Sequence, residues 1–219
     1  MNLGGRVMDI ITTKNSSAVV TAALFACFLA LAAYFLSPDI FKPRPEKALA
    51  YALHIAGGSV ALCIGALQFM APLRNRFRAY HRRAGYVYVC ASVISVGGFF
   101  ALMPLRFTVF LPSQVFVACL WLLSVAVAIR AIRAGNLLVH QHNMARGYLF
   151  AAYFVTVRIV DRFLMGLLVP FVGSEDARLA HSDWLAWVIP LLVLEVYFGR
   201  KTATALMARR QSQNQGSAA

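Results

Sequence analysis

Long apolar runs alternate with short polar linkers along the whole chain. Six runs stand out, each close to the roughly 20 residues that a helix needs to cross a hydrocarbon core of about 30 Å. The runs cover about Ala18–Leu36, Ala48–Pro72, Ala84–Pro104, Gln114–Ala131, Arg146–Val169 and Trp184–Phe198. The pattern predicts an all-α, polytopic transmembrane helical bundle of about six spans, in which short linkers make consecutive helices antiparallel.

Polar segments flank the predicted bundle. Residues 1–17 carry Arg6 and Lys14 ahead of the first run, and the SPDIFKPRP stretch after that run lacks a small-x-small cleavage pattern. We therefore expect an uncleaved first helix rather than a signal peptide. The predicted organisation is an N-terminal cytoplasmic segment (1–17), a six-helix transmembrane domain (18–199) and a disordered cytoplasmic tail (200–219).

The composition supports a membrane protein. The chain is 60% hydrophobic and only 13% charged, with a net charge of +13. The basic residues lie in short clusters between the apolar runs, so the charge does not indicate nucleic-acid binding. When alternate linkers are assigned to opposite sides, 14 Lys and Arg residues fall on one side and 5 on the other. The positive-inside rule then predicts that both termini lie in the cytoplasm.

Motifs of enzymes and metal sites are absent from the sequence. It contains no HExxH, no GxSxG and no Gly-rich phosphate loop. Cys27, Cys63, Cys90 and Cys119 lie in four different apolar runs without metal-ligand spacing, and we expect small buried apolar side chains there. The sequence therefore favours a non-enzymatic protein, with no catalytic residue identified and no metal site.

Two predicted helices carry stripes of small and polar residues at helical spacing. The second run has His54, Gly58, Ala61, Gly65 and Gln68, and the third has His81, Gly85, Tyr88, Ser92 and Ser95. Such stripes are typical of close helix packing, which could also support oligomerisation, or of the lining of a cavity. In either case we expect the stripes to face each other and the fifth run.

The segments HIAGGSVALCIGALQF, HRRAGYVYV and HQHNMARGYLFAAYFVTVR resemble a bacterial family of predicted membrane proteins, domain of unknown function 2306. The matching positions are His54, Gln68, His81, Gly85, His140, Met144, Arg146, Thr156 and Arg158, while His142 and Asn143 depart from the pattern. The resemblance implies a similar architecture in the bacterial inner membrane and implies no activity.

Ionisable residues deep in the fifth run are candidates for a ligand or ion site. At about 1.5 Å per residue, Arg158 and Asp161 lie roughly 18 and 22 Å from Arg146, level with His54 of the second run. Arg158 and Asp161 share one helix face and can offset each other's charge, so the pair could simply fix packing. Charges at this depth also mark functional sites, and His54, Gln68, Tyr88, Arg158 and Asp161 form our candidate ligand or ion site.

Histidines at the cytoplasmic ends of the third and fifth runs form a second candidate site. His81 and His140 could hold one haem b axially, or a quinone, with His142 and Arg146 nearby. The alternative is that these side chains contact anionic headgroups at the membrane surface. The leading hypothesis is a transporter-like or sensory bundle that binds a small ligand or ion. The alternatives are a membrane redox protein and a structural subunit of a membrane complex.

Overall fold

The computed structural model describes residues 26, 30, 45–103, 108–164 and 173–216. The chain divides into two units, residues 1–45 and 46–219. The first predicted span, Ala18–Leu36, lies outside the described residues apart from Ala26 and Ala30, which are helical and exposed.

The second unit is all-α throughout its described part, as the sequence predicts. A 3₁₀ turn at Pro45–Lys47 leads into the first helix. The helices are α1 (Ala48–Phe69), α2 (Ala71–Arg76), α3 (Arg78–Leu102), α4 (Leu111–Arg133), α5 (Leu137–Ala151), α6 (Tyr153–Ile159) and α7 (Glu175–Gly216), with a π-helical turn at Val160–Leu164 after α6.

Four of these helices are long and apolar enough to cross a membrane: α1, α3, α4 and the Glu175–Met207 part of α7. They correspond to the second, third, fourth and sixth predicted spans. α7 begins before the predicted sixth span, and it continues to Gly216 through residues for which the sequence predicts a disordered tail.

The fifth predicted span is not a single α-helix. α5 is about 22 Å long. The backbone hydrogen-bond pattern changes at Ala152, whose carbonyl oxygen accepts from the Val155 N–H, three residues later instead of the four of an α-helix. The Thr156 hydroxyl also donates to the Tyr153 carbonyl oxygen at 3.0 Å, which competes with the regular helical bond. The helical path continues through α6 and the π-helical turn, so any span here combines all three elements.

A tight turn joins α4 to α5 and makes them antiparallel. Gly135 adopts a positive φ of 74° just after α4, a conformation that costs glycine little. The Asn136 side chain then caps α5 by accepting a hydrogen bond from the Val139 N–H at 3.1 Å. These two residues set the hairpin between the helices.

α1 and α3 pack backbone to backbone, and the two predicted stripes face each other. A Cβ on Gly98 would lie 2.6 Å from the backbone nitrogen of His54, and one on Gly57 would lie 2.8 Å from the Ala91 carbonyl oxygen. Only glycine allows this approach, because any Cβ would collide with backbone that has no room to shift. Tyr88 lies at the centre of the bundle, and its hydroxyl oxygen accepts a hydrogen bond from the Trp121 indole N–H at 3.0 Å.

The sequence prediction for the cysteines is wrong where the structure describes them. Cys63, Cys90 and Cys119 are all exposed on the surface of the helices. The small residues that fill the interior are alanines and glycines, among them the fully buried Ala61. A thiol on an apolar outer face is compatible with hydrocarbon, so burial within the protein is not required.

Charge separates the two ends of the bundle. At the basic end, where α1 and α4 finish and α2, α3 and α5 begin, the exposed cations include Arg76, Arg78, Arg82, Arg83, Arg130 and Arg133. At the acidic end, where α1 and α7 begin, lie Glu46, Glu175 and Asp176. The prediction that both termini lie in the cytoplasm rests on this difference in charge. The orientation of the bundle in the membrane stays a prediction.

Candidate functional site

A small cavity lies between α1, α3, α4 and the α5–α6 segment. Its volume is about 30 Å³, enough for one or two water-sized species. The lining is mostly aliphatic and aromatic, with four residues that carry polar atoms besides the indole: His54, Ser95, Gln114 and Tyr153. We call this space the central cavity.

His54 enters the cavity wall in a fixed orientation. Its Nδ1 lies 2.9 Å from the Ser95 carbonyl oxygen, and the Ser95 hydroxyl donates to the His54 carbonyl oxygen at 3.0 Å. Because a carbonyl oxygen only accepts, Nδ1 carries the proton, and Nε2 of the neutral ring is left as an acceptor. The ring also packs edge-on against Phe154, with centroids 5.0 Å apart. The close approach of α1 and α3 therefore determines which imidazole nitrogen is available.

Tyr153 and Asp183 are the most unusual polar groups of the site. Their exposed fractions are only 3% and 6%. The Tyr153 hydroxyl and the Asp183 carboxylate interact with each other and with the Gln114 amide. Even so, neither the Tyr153 hydroxyl nor Asp183 Oδ2 completes a hydrogen bond of ordinary geometry within the described part of the chain. Buried polar atoms without such a bond are uncommon in folded proteins.

Of the predicted trio, His54 lines the central cavity, whereas Arg158 and Asp161 lie outside its lining and act electrostatically on Asp183. Arg158 interacts electrostatically with both Tyr153 and Asp183. Asp161 forms an ion pair with Arg178 of α7. Arg178 Nη2 also lies 3.5 Å from Glu175 Oε1. The sequence spacing indicates Arg158 as the partner of Asp161 and gives no signal for Arg178, which lies in a different helix.

Gln68 and Tyr88, the other predicted ligand residues, do not line the central cavity. Tyr88 is fully buried, and its hydroxyl oxygen accepts a hydrogen bond from Trp121, which is itself a residue of the cavity wall. Gln68 lies toward the basic end with Oε1 facing Gly85, and its Nε2 lacks a hydrogen-bond partner among the described residues. The structure thus separates these two residues from His54 and Tyr153.

The histidines of the second candidate site fall into two places. His81 and His140 lie close enough to interact electrostatically, and Arg74 of α2 also acts on His81. His140 is oriented by its Nδ1, which lies 2.9 Å from the Ala128 carbonyl oxygen. Both histidines therefore lie at the basic end of the bundle, and the haem or quinone alternative stays a prediction.

His142 and Arg146 instead join α5 to α7. Arg146 Nε and Nη2 donate to the two carboxylate oxygens of Glu195 at 2.5 and 2.8 Å. His142 stacks on Phe198 with ring centroids 3.8 Å apart and an interplanar angle of 9°. Burial, and secondly the charge of Arg146, lower the pKa of His142. These contacts describe a connection between helices rather than a binding site.

Sequence analysis missed the residues that distinguish the central cavity. Gln114 and Asp183 stand at the ends of apolar runs, where polar residues are expected at a membrane surface, and Tyr153 resembles its aromatic neighbours. The sequence therefore marks Gln114 and Asp183 only as polar residues next to a long apolar run, and it does not mark Tyr153 at all. Within the described ranges, no group of three or more His, Cys, Asp or Glu residues is arranged to hold a metal ion.

Comparison with known proteins gives one result. A family model described as predicted membrane protein, DUF2306, matches residues 51–198. This range contains every candidate site residue named above. No curated protein and no solved structure matches the chain.

Proposed function

The chain belongs to the DUF2306 family of predicted membrane proteins, and on that premise we propose that it binds a small ion or water-sized ligand in the central cavity. In this proposal it is a six-span protein of the bacterial inner membrane with both termini in the cytoplasm. Its fifth span begins near Arg146 and combines the later part of α5 with α6 and the π-helical turn. It acts as a transporter-like or sensory bundle rather than as an enzyme.

One observation carries the proposal: Tyr153 of the cavity wall and its neighbour Asp183 are almost completely buried, and within the described residues the Tyr153 hydroxyl and Asp183 Oδ2 lack a hydrogen bond of ordinary geometry. An unsatisfied buried polar atom costs about 1–3 kcal/mol, so a bound species that supplies the missing bonds is favoured. A carboxylate oxygen accepts hydrogen bonds and coordinates cations, and a phenol can donate or accept. These groups suit a small cation or a proton carrier better than an apolar ligand.

The size and position of the cavity limit which ligands could bind in it. A volume of about 30 Å³ excludes a drug-sized ligand and admits a water molecule or an ion of similar size. The unprotonated Nε2 of His54 is a second acceptor on the α1 side of the bundle. Ionisable residues in membrane helices commonly mark ion pathways or proton relays.

Ion-dependent stability of two near-isosteric variants tests the proposal. Full-length protein in nanodiscs is heated while NaCl, KCl or NH₄Cl replaces choline chloride at constant ionic strength, and in a separate series while pH is varied. A ligand that binds the folded state raises Tm in proportion to ln(1 + [L]/Kd). We expect the wild-type Tm to rise with one of these cations or with proton concentration. The rise should be lost in Asp183→Asn and reduced in Tyr153→Phe.

Matched control variants show whether an effect comes from the cavity or simply from removing a carboxylate or a hydroxyl anywhere in the protein. Asp176→Asn and Tyr197→Phe make the same chemical changes at exposed positions of α7. Both controls should respond like the wild-type protein. If wild type, Asp183→Asn and Tyr153→Phe give the same response to all three salts and to pH, the central cavity is not an ion site and the proposal is wrong.

A further inference from the structure

Buried polar atoms without a hydrogen-bond partner lie at the central cavity and also between the cavity and the basic end of the bundle. Among the residues that the structure describes, five side-chain atoms are in this state. The Tyr153 hydroxyl and Asp183 Oδ2 belong to the proposed ion site, whereas Gln68 Nε2 of α1 and the Tyr148 hydroxyl of α5 lie nearer the basic end. Because a dry unsatisfied atom costs about 1–3 kcal/mol, we expect internal water molecules beside all four.

Direct contacts connect the cavity wall with the two atoms nearer the basic end. The Trp121 indole of the wall donates a hydrogen bond to the Tyr88 hydroxyl oxygen at 3.0 Å. The rings of Tyr88 and Tyr148 both border Gly65, where a Cβ would lie 2.9 Å from the first ring and 2.7 Å from the second. Gln68 follows Gly65 by three residues and lies on the same side of α1. These contacts place Tyr88 and Tyr148 between the cavity wall and Gln68.

On the side of the acidic end, contacts between α7 and α4 hold Asp183 next to the cavity. Trp187 stands one turn after Asp183 on the same face of α7, and its indole N–H donates to the Ser113 hydroxyl oxygen at 2.9 Å. Ser113 directly precedes Gln114 of the cavity wall, and the Trp187 ring also packs on Phe150 of the wall, with ring centroids 6.2 Å apart. Asp183 therefore lies beside this part of the wall, where its carboxylate interacts with Gln114.

The chemistry of these groups suits a proton better than a metal cation. A hard metal ion takes about six or more oxygen ligands, whereas the mostly apolar cavity wall carries polar side-chain atoms besides the indole on only four residues. A proton needs one acceptor at a time, and a carboxylate, a phenol, a water molecule and a neutral imidazole can each serve. Successive groups of this kind in membrane helices form proton relays.

We propose that the central cavity is the middle of a proton path that runs from Asp183 on the acidic side to Gln68 near the basic end. This inference rests on the proposed function and names the proton as the ion that the cavity takes. A proton accepted by the Asp183 carboxylate passes over the Tyr153 hydroxyl to a water molecule in the cavity and to Nε2 of His54. It continues over the two inner tyrosine hydroxyls and internal water molecules to the basic end. Each hydroxyl or water takes up one proton and releases another, and His54 releases the proton that it accepts, so no group is changed after one proton has crossed.

Proton flux into proteoliposomes tests this path. Full-length protein is reconstituted in liposomes that contain the pH dye pyranine, and an outward K⁺ gradient with valinomycin makes the interior negative. Wild type should acidify the interior faster than protein-free liposomes do. Tyr153→Phe, Tyr148→Phe and Gln68→Leu should each lower the flux about tenfold or more, because each removes a polar atom that holds a water molecule. Asp183→Asn should lower it as much, since an amide does not take up the proton. The Tm of Gln68→Leu should not fall, because that variant loses only an unsatisfied polar group, so its reduced flux cannot come from unfolding.

Matched controls make the same chemical changes at exposed positions. Gln141→Leu, Tyr197→Phe and Asp176→Asn should conduct protons like the wild-type protein. If wild type conducts no faster than protein-free liposomes, or if Tyr148→Phe and Gln68→Leu conduct like wild type, the proton path is wrong.

The outcome for the ion site is read separately. If the wild-type Tm rises with NaCl, KCl or NH₄Cl and no proton flux is present, the ion site in the central cavity stands and the proton path is rejected. If the Tm responds to none of the salts and not to pH, and no flux is present, both proposals are rejected.

Discussion

The guanidinium of Arg146 in α5 donates two hydrogen bonds to the carboxylate of Glu195 in α7, a residue 49 positions further along the chain. The two-pronged geometry matches the planar fork of arginine to the two carboxylate oxygens. Both side chains are partly exposed, so solvent weakens the attraction. The pair nevertheless connects α5 to α7.

Removal of either member of this pair should destabilise the bundle modestly. We expect Arg146→Gln and Glu195→Gln each to cost about 1 kcal/mol of unfolding free energy after allowance for solvent screening. The double variant should cost less than the sum of the two, because the second change has no pair left to break. Thermal unfolding in one detergent measures all four proteins. Strict additivity of the two changes would contradict a direct interaction.

The glycines of α3 offer a sharper test of the helix contact. Gly98→Ala places a methyl group 2.6 Å from the His54 backbone nitrogen, whereas a Cβ on Gly97 meets nothing within 4 Å. We expect Gly98→Ala to cost about 1–3 kcal/mol through overpacking. Gly97→Ala should be neutral or slightly stabilising, because alanine favours the helix. Similar unfolding temperatures for both variants would rule out the close approach of α1 and α3.

The hydrogen bond between the Trp121 indole N–H and the buried Tyr88 hydroxyl should contribute to the stability of the bundle. In Tyr88→Phe the Trp121 indole N–H loses its hydrogen-bond acceptor in the centre of the bundle, and we expect a loss of about 1–3 kcal/mol. Tyr86→Phe, at an exposed position two residues earlier, is the matched control and should change stability little. Thermal unfolding followed by tryptophan fluorescence reports both the stability and the indole environment. An unchanged stability in Tyr88→Phe would mean that the indole finds another acceptor.

His142 should contribute to a loss of stability in acid. It precedes the predicted fifth span, and its pKa is lowered by burial first and by Arg146 second, with Lys201 acting in the same direction and Glu195 against it. A lowered pKa means that the unfolded chain takes up a proton before the folded protein does. Stability is therefore full above the ordinary histidine value of about 6.5 and falls as pH drops below it.

The His142→Gln variant isolates this effect. Between about pH 7.5 and about pH 5.5, the fall in Tm should be smaller in His142→Gln than in wild type. His181→Gln, at an exposed position of α7, serves as the control and should follow the wild-type curve. Parallel curves for wild type and His142→Gln would show that His142 has the same proton affinity in both states.

Much of this architecture follows from local sequence. The lengths of the apolar runs determine α1, α3, α4 and the central part of α7, because a run of about 20 apolar residues gains most as a membrane helix. The spacing of His54, Ala61 and Gln68 on one side and of Tyr88, Ser92 and Ser95 on the other predicts the contact face of α1 and α3. The sequence places Arg83, Arg130 and Arg146 at the same end of the bundle as Glu195, so it does not single out Arg146 as the partner.

The interior of the α5–α6 segment required the structure. Its helical pattern changes at Ala152, and no proline or glycine stands there to indicate the change. The pairing of Asp161 with Arg178 and the meeting of Tyr153 with Asp183 join residues of different helices. Such contacts depend on how far each helix is shifted and rotated against its neighbour.

The sequence by itself determined the apolar parts of α1, α3, α4 and α7, which faces of α1 and α3 are small and polar, and which end of the bundle is basic. Only the tertiary structure decided that Gln114 and Tyr153 line the same cavity as His54, and that Asp183 interacts with both of them. The physical reason is the range of the forces involved. Helix formation and amphipathic faces are set by neighbours within about one or two turns. The partners of a buried polar group are set by packing between helices far apart in the chain.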